Sequence, residues 1–137
     1  MSSRERAASS SRTVLLAGAI NAALSVIAGA FGAHGLQGRV SDRLLSAFET
    51  GAQYHFYHAL GLILIALAMV QFSGSRWFSR AAVMMQVGIV LFSGSLYALA
   101  LTGITKLGAV TPFGGLSLIV AWGMVAFAVT QAGQHYK

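Results

Sequence analysis

The chain has 137 residues, the size of one domain. Charged side chains make up 9 % of it and apolar ones 56 %, where a soluble domain carries about 25 % charge. So few charges cannot cover a soluble globule, which excludes an ordinary cytosolic enzyme and a disordered chain. The net charge of +6 forms no basic face, which excludes a nucleic-acid binder. With no cysteine there is neither a disulfide nor a thiolate metal site.

Residues 1–12 form a basic polar tail, rich in Ser and Arg and without periodicity, and it is expected to be mobile. The tail could also be the start of a signal peptide, with Ala28-Gly29-Ala30 imitating a cleavage site. Against this, the following apolar run is long and continues past that site. Thr13–Ala33 gives 21 residues without a charge, enough to cross a hydrocarbon core of about 30 Å as a helix. Asn21 lies near its middle, where an amide needs a partner on another helix. Ser25, Gly29 and Ala33 follow at four-residue spacing, with Ala28 and Gly32 beside them, and predict a close helix seam. His34-Gly35 then reads either as a helix cap or as part of a polar cluster.

Ser41 or Asp42 can cap the next helix. Val40, Leu44, Leu45 and Phe48 recur at helical spacing opposite Asp42, Arg43, Ser46 and Glu49. This pattern predicts a short amphipathic helix in the membrane interface, which either bends at Gly51 or continues through it into the second span. Tyr54–Phe72 is the second span. On a continuous helix Gln53 and Tyr57 fall within roughly 80° of Glu49, whereas His58 lies about 180° away, so Glu49 and His58 cannot share one ligand. His55 and His58 could bind a metal only with help from another helix.

Residues 73–80 are expected to form a tight loop, with Gly74, two Arg and Trp77 at headgroup level. Ala81–Thr102 is the third span, interrupted by Gln86, with Gly94 and Ala98 as candidate packing positions and Tyr97 at the depth of the His cluster. In the loop after it, Thr111-Pro112 reads as N-cap and first helical residue. Phe113–Ala132 is the fourth span, where Ser117 and Ala121 allow close approach and Trp122 is too deep for a headgroup belt.

The fold expected is an all-α integral membrane protein of four antiparallel transmembrane helices, with the interfacial helix between the first two. With both termini inside, Arg4, Arg6, Arg12, Arg76, Arg80 and Lys137 face the cytoplasm, and Arg39, Arg43 and Lys106 lie outside.

Four blocks of the chain carry a resemblance: Gly29-Ala30-Phe31-Gly32-Ala33-His34-Gly35, Phe48-Glu49-Thr50-Gly51-Ala52-Gln53-Tyr54-His55-Phe56-Tyr57-His58, Leu91-Phe92-Ser93-Gly94-Ser95-Leu96-Tyr97 and Thr111-Pro112-Phe113-Gly114-Gly115. In this order and spacing they resemble the YgdD/YwdK-like family of small bacterial inner-membrane proteins, a family with a domain of unknown function. The resemblance covers nearly all of the chain after the tail. It implies a multi-pass protein of the inner membrane and carries over no activity. His55 is less typical of the family pattern than its neighbours.

The candidate polar cluster is therefore His34, Glu49, Gln53, Tyr54, His58 and Tyr97, and the candidate packing set is Asn21, Ser25, Gly29, Gly94 and Ala98. The preferred partner of Glu49 is His34, as a clamp on the first hairpin. No catalytic triad, phosphate loop or acid/base pair is present, so neither an enzyme nor a cofactor is expected. Two functions remain. One is a scaffold or accessory protein that binds the lipid bilayer, a membrane-protein partner or its own copies. The other is a small-solute, proton or metal transporter using the polar cluster as its entrance.

Overall fold

The computed structural model describes residues 1–136, with side chains through Gln134; Lys137, counted above for orientation, lies outside the described residues. Among the described residues every element is helical: α1 (Ser3–Phe31), α2 (Asp42–Gln71), α3 (Arg76–Thr102) and α4 (Thr111–Ala132). A π-helical turn (Gly32–Leu36) extends α1, and short 3-10 turns cover Thr105–Ala109 and Gly133–Tyr136. All four helices, with their short extensions, are long and apolar enough to cross a membrane.

The basic tail is helical from Ser3 rather than irregular. Ser2 and Glu5 form a capping box: the Ser2 hydroxyl accepts from the Glu5 amide at 3.2 Å, and the Glu5 carboxylate accepts from the Ser2 amide at 2.5 Å. That pair satisfies two orphan donors and offsets the absence of an apolar stripe. At the far end of α1 the left-handed residue is Gly38, with φ +78°, and not Gly35. Gly35 stays inside the π-turn, and the Arg39 amide closes the connection by donating to the Leu36 carbonyl.

The amphipathic segment is not a separate helix. Ser41 caps it, accepting from the Leu44 amide, and α2 then runs 30 residues without interruption. Gly51 is no bend; it is buried where α2 meets α3, and a β-carbon there would touch the Tyr97 ring at 3.0 Å. Ser75 caps α3, so the expected loop at 73–80 shrinks to the turn before Arg76, with Gly74 at φ +110°. Gly103 ends α3 in the left-handed region, φ +71°, where its amide donates to the Leu99 carbonyl. Thr111 is not an N-cap: Val110 already has helical dihedrals, so the chain passes from the 3-10 turn directly into α4.

The packing is sequential. α2 and α3 form the central pair, with α1 on α2 and α4 on α3. A large apolar cluster joins Leu62, Ile65 and Met69 of α2 to Phe78, Met85 and Ile89 of α3 and Leu118, Ala121 and Ala128 of α4. A smaller one gathers Leu36, Phe48 and Ala100, with Ala28 and Tyr97 against it. The candidate site lies between these two clusters.

Candidate functional site: a polar layer between three helices

Along α1 and into the π-turn, the buried or half-buried positions include Ser11, Val14, Gly18, Asn21, Ser25, Ala28 and Gly32, at alternating steps of three and four residues, with Ala17 and Ala22 beside them. This is a heptad seam made of small and polar residues. Its closest approach is at Gly18, where a β-carbon would lie 2.7 Å from Ile63 Cγ1 and 3.1 Å from the Ala59 carbonyl oxygen. The seam brings Asn21 within reach of both central helices.

Asn21 Nδ2 donates to Gln86 Oε1 of α3 and to the Ala17 carbonyl, each at 2.8 Å. Both partners accept only, so the amide oxygen must face the other way. It meets His55 Nε2 of α2 at 2.9 Å. An amide oxygen accepts only, so Nε2 carries the proton. In the neutral ring Nδ1 is then the acceptor, and the Tyr97 hydroxyl, 2.9 Å away, donates to it. The chain Gln86–Asn21–His55–Tyr97 thus has one consistent set of donors and acceptors and joins α1, α2 and α3. His55 is 6 % exposed and Asn21 8 %. In lipid such groups have no water to bond, so mutual pairing is what permits their burial.

Other hydrogen bonds staple α3 to α2 and to α4. Ser93 donates to the Gly51 carbonyl at 2.7 Å, Ser117 donates to the Met84 carbonyl at 2.8 Å, and the Ser95 and Thr111 hydroxyls meet at 2.6 Å. Among the described residues every buried side-chain nitrogen or oxygen has a partner.

The expected six-residue cluster does not come together at one point. Tyr97 joins the layer above and packs its ring on Phe48, with centroids 4.8 Å apart. His58 is buried one turn beyond Tyr54, where its Nδ1–H donates to the Tyr54 carbonyl at 2.7 Å. Tyr54 stacks over the His58 ring and leans on Phe92. Gln53 turns outward and donates to the Tyr57 hydroxyl at 2.5 Å. His34 and Glu49 are both exposed, and no hydrogen bond joins them among the described residues, so the expected clamp is not formed. The reason is rotational: Phe48, one residue before Glu49, takes the inward position against Gly32, which leaves the carboxylate pointing out. No group of three potential metal ligands occurs among the described residues.

Of the expected packing positions, Asn21 and Ser25 are buried on the α1 seam, while Gly29 and Gly94 face open space. Gly29 is one residue past Ala28 and therefore about 100° off the seam. Gly94 and Ala98 sit roughly 100° and 140° round α3 from Ser93, outside the arc that faces α2 and α4. The glycines that do pack against another helix are Gly18, Gly32, Gly51, Gly61, Gly88 and Gly114.

His55 and Gln86 are the residues that sequence reasoning missed. The available signal was a pair of lone amides, Asn21 and Gln86, each inside a charge-free run.

Comparison with known proteins agrees with the apolar, membrane character of the chain. Residues 28–115 match the family model described as "Protein of unknown function (DUF423)". The chain is 48 % identical to the UPF0382 membrane protein YwdK of Bacillus subtilis over 120 residues, covering 88 % of this chain and 98 % of that one. It is 44 % identical to the UPF0382 membrane protein SERP0230 of Staphylococcus epidermidis over 117 residues, covering 85 % and 94 %. It is 46 % identical to the UPF0382 membrane protein SH2409 of Staphylococcus haemolyticus, covering 81 % and 89 %. No solved structure matches. The YgdD/YwdK-like resemblance of the sequence blocks, the matched family model and these relatives agree: the chain belongs to the DUF423 family of membrane proteins.

Proposed function

We propose that this protein is a non-catalytic scaffold or accessory component of the bacterial inner membrane, which holds membrane partners or lipid against its outward helix faces. The observation that carries this reading is the closure of the interior. The amides, imidazole and hydroxyls of the polar layer are bonded to one another and to helix carbonyls. A transport path needs polar groups that present themselves to a passing solute, and here the buried ones are engaged in holding helices together.

In this reading the four helices cross the membrane antiparallel, with both termini in the cytoplasm and the amphipathic first turns of α2 at the outer interface. Two packing facts support the antiparallel path: Val14 packs with the Phe78 cluster, and Ala28 with the Phe48 cluster. The orientation is supported by the excess of Arg in the tail and before Ala81.

The test is purification of the full chain in a mild detergent, followed by exchange into a second detergent and measurement of what stays bound. Retention of a protein or lipid at fixed stoichiometry is expected. A bare monomer overturns the proposal. So does a proton or solute flux in proteoliposomes that Asn21→Leu abolishes.

A further inference from the structure

At the end of the molecule away from Glu49, the turn between α2 and α3 opens onto a cleft of about 670 Å³. Its polar walls include Gln71, Arg76, Arg80 and Gln131, with Ser73 and Ser75 from the turn, and Trp77 lines it beside them. The volume falls within the range of small-molecule sites.

Four features define what fits. First, Arg76 and Arg80 are one turn apart on α3 and share one side of that helix. Second, among the described residues the walls contain no carboxylate. Asp42 and Glu49 belong to the first turns of α2, whose last turn lines the cleft, and Glu5 is engaged by Ser2. Third, the Arg80 guanidinium rests 5.0 Å over the Trp77 ring. Stacking holds its plane and leaves its N–H donors free at the edge. Fourth, the two arginines come directly before the apolar run that starts at Ala81, and Trp77 lies beside them. This is the level of phospholipid phosphates. Exposed Val83 and Phe127 continue from the cleft along the apolar faces of α3 and α4, as a surface for acyl chains.

We infer that this cleft binds the phosphate of an anionic phospholipid, with Arg76 and Arg80 holding the phosphate oxygens and the Gln71 and Gln131 amides bonding the head-group hydroxyls. Guanidinium pairs suit phosphate because they offer charge and paired N–H donors together. The apolar wall beside them favours an amphiphile over a free phosphate ion. The inference rests on the lipid-binding half of the proposed function.

The experiment follows thermal unfolding of the full chain in uncharged micelles doped with phosphatidylglycerol, with phosphatidylcholine, or supplied with inorganic phosphate. Phosphatidylglycerol is expected to raise the melting temperature above that in phosphatidylcholine. The Arg76→Gln/Arg80→Gln variant should need roughly tenfold more of it for the same shift. Arg39→Gln/Arg43→Gln should respond as the unaltered protein does. Equal responses to the two lipids overturn the inference, as does an equal loss in the Arg39/Arg43 variant. A full response to inorganic phosphate alone reassigns the cleft to a soluble anion and overturns the lipid source. If the Arg76/Arg80 variant does not fold in phosphatidylcholine, a photoactivatable phosphatidylglycerol is applied to the unaltered protein instead. Label mapped to residues 71–83 or 127–132 supports the inference, and label confined to the rest of the chain overturns it. A protein partner retained without any phosphatidylglycerol effect removes this inference and leaves the accessory role standing.

Discussion

The two flanking helices are attached by different means. α4 docks on α3 through close approach of main chain. A β-carbon at Gly114 would run into the Phe92 amide and the Leu91 carbonyl carbon, and Ala121 and Ala128 continue the contact. α1 buries no large apolar side chain; its fully buried residues are Ser11, Gly18, Asn21 and Ser25. Its side-chain hydrogen bonds to the central pair run through Asn21, to Gln86 and His55. In lipid, apolar side chains gain nothing from leaving the solvent, so shape and hydrogen bonds are what remain to fix a helix. Both helices use both: α4 adds the Ser117 and Thr111 hydroxyl bonds to its main-chain contact with α3, whereas α1 relies on the buried Asn21 amide within a seam of small and polar residues.

The contrast can be broken from either side. Gly114→Val should have the largest effect, about 3 kcal/mol of destabilisation, because backbone cannot give way as a flexible side chain can. Unfolding in mixed micelles followed by circular dichroism measures it, and a near-neutral result would mean that α4 does not sit this close. Gly18→Ala should cost less, about 1–2 kcal/mol, since the nearest obstacle, Ile63 Cγ1, is a side-chain atom and the backbone atoms, the Ala59 carbonyl oxygen and the Ile63 nitrogen, stand off at 3.1 Å. Asn21→Leu should cost about 1–2 kcal/mol by leaving the His55 N–H and the Gln86 oxygen unpaired. Adding His55→Leu should then cost little more, because both changes remove the same bond; strictly additive losses would dissolve the polar layer as a unit. Gly29→Ala and Gly94→Ala should change stability by less than about 0.5 kcal/mol, as both positions face open space. A large loss at either would restore the seam that four-residue spacing suggested.

The four spans were legible because length without charge is a one-dimensional property. Thr13–Ala33 needs no knowledge of its neighbours to be long enough. The seams were not legible in the same way. Ser25, Gly29 and Ala33 form a valid stripe, but so do Ser25, Ala28 and Gly32, and only the partner helix decides between them. Gly51 looked like a hinge because glycine serves both bends and close contacts, and the Tyr97 ring that needs the space is 46 residues further on. The demand of Asn21 for a partner could be read from burial in lipid; that the partners are Gln86 and His55 could not, since helix order and rotation are three-dimensional facts. Tyr97 was singled out for its depth, and it is one end of the network. His34 and Glu49 were singled out for being ionisable, a property that says nothing about which way a side chain turns.

The helices are unequal in length, and this has a consequence for the bilayer. α2 has 30 residues and α4 has 22. At about 1.5 Å per residue they span about 45 Å and 33 Å, against a hydrocarbon thickness of roughly 30 Å. α4 nearly matches that thickness, so it sets the membrane in which the protein sits without distortion. α2 overshoots, and in the proposed orientation its surplus is the amphipathic stretch from Asp42 to Glu49, which would tolerate water on one side and acyl chains on the other. In a thicker bilayer those turns can submerge their apolar side, while α4 has only the short 3-10 turn before it as reserve and draws the lipid inward sooner. Hydrophobic mismatch is thus borne by one flank of the protein, and a gradient of membrane thickness would tilt it towards that flank.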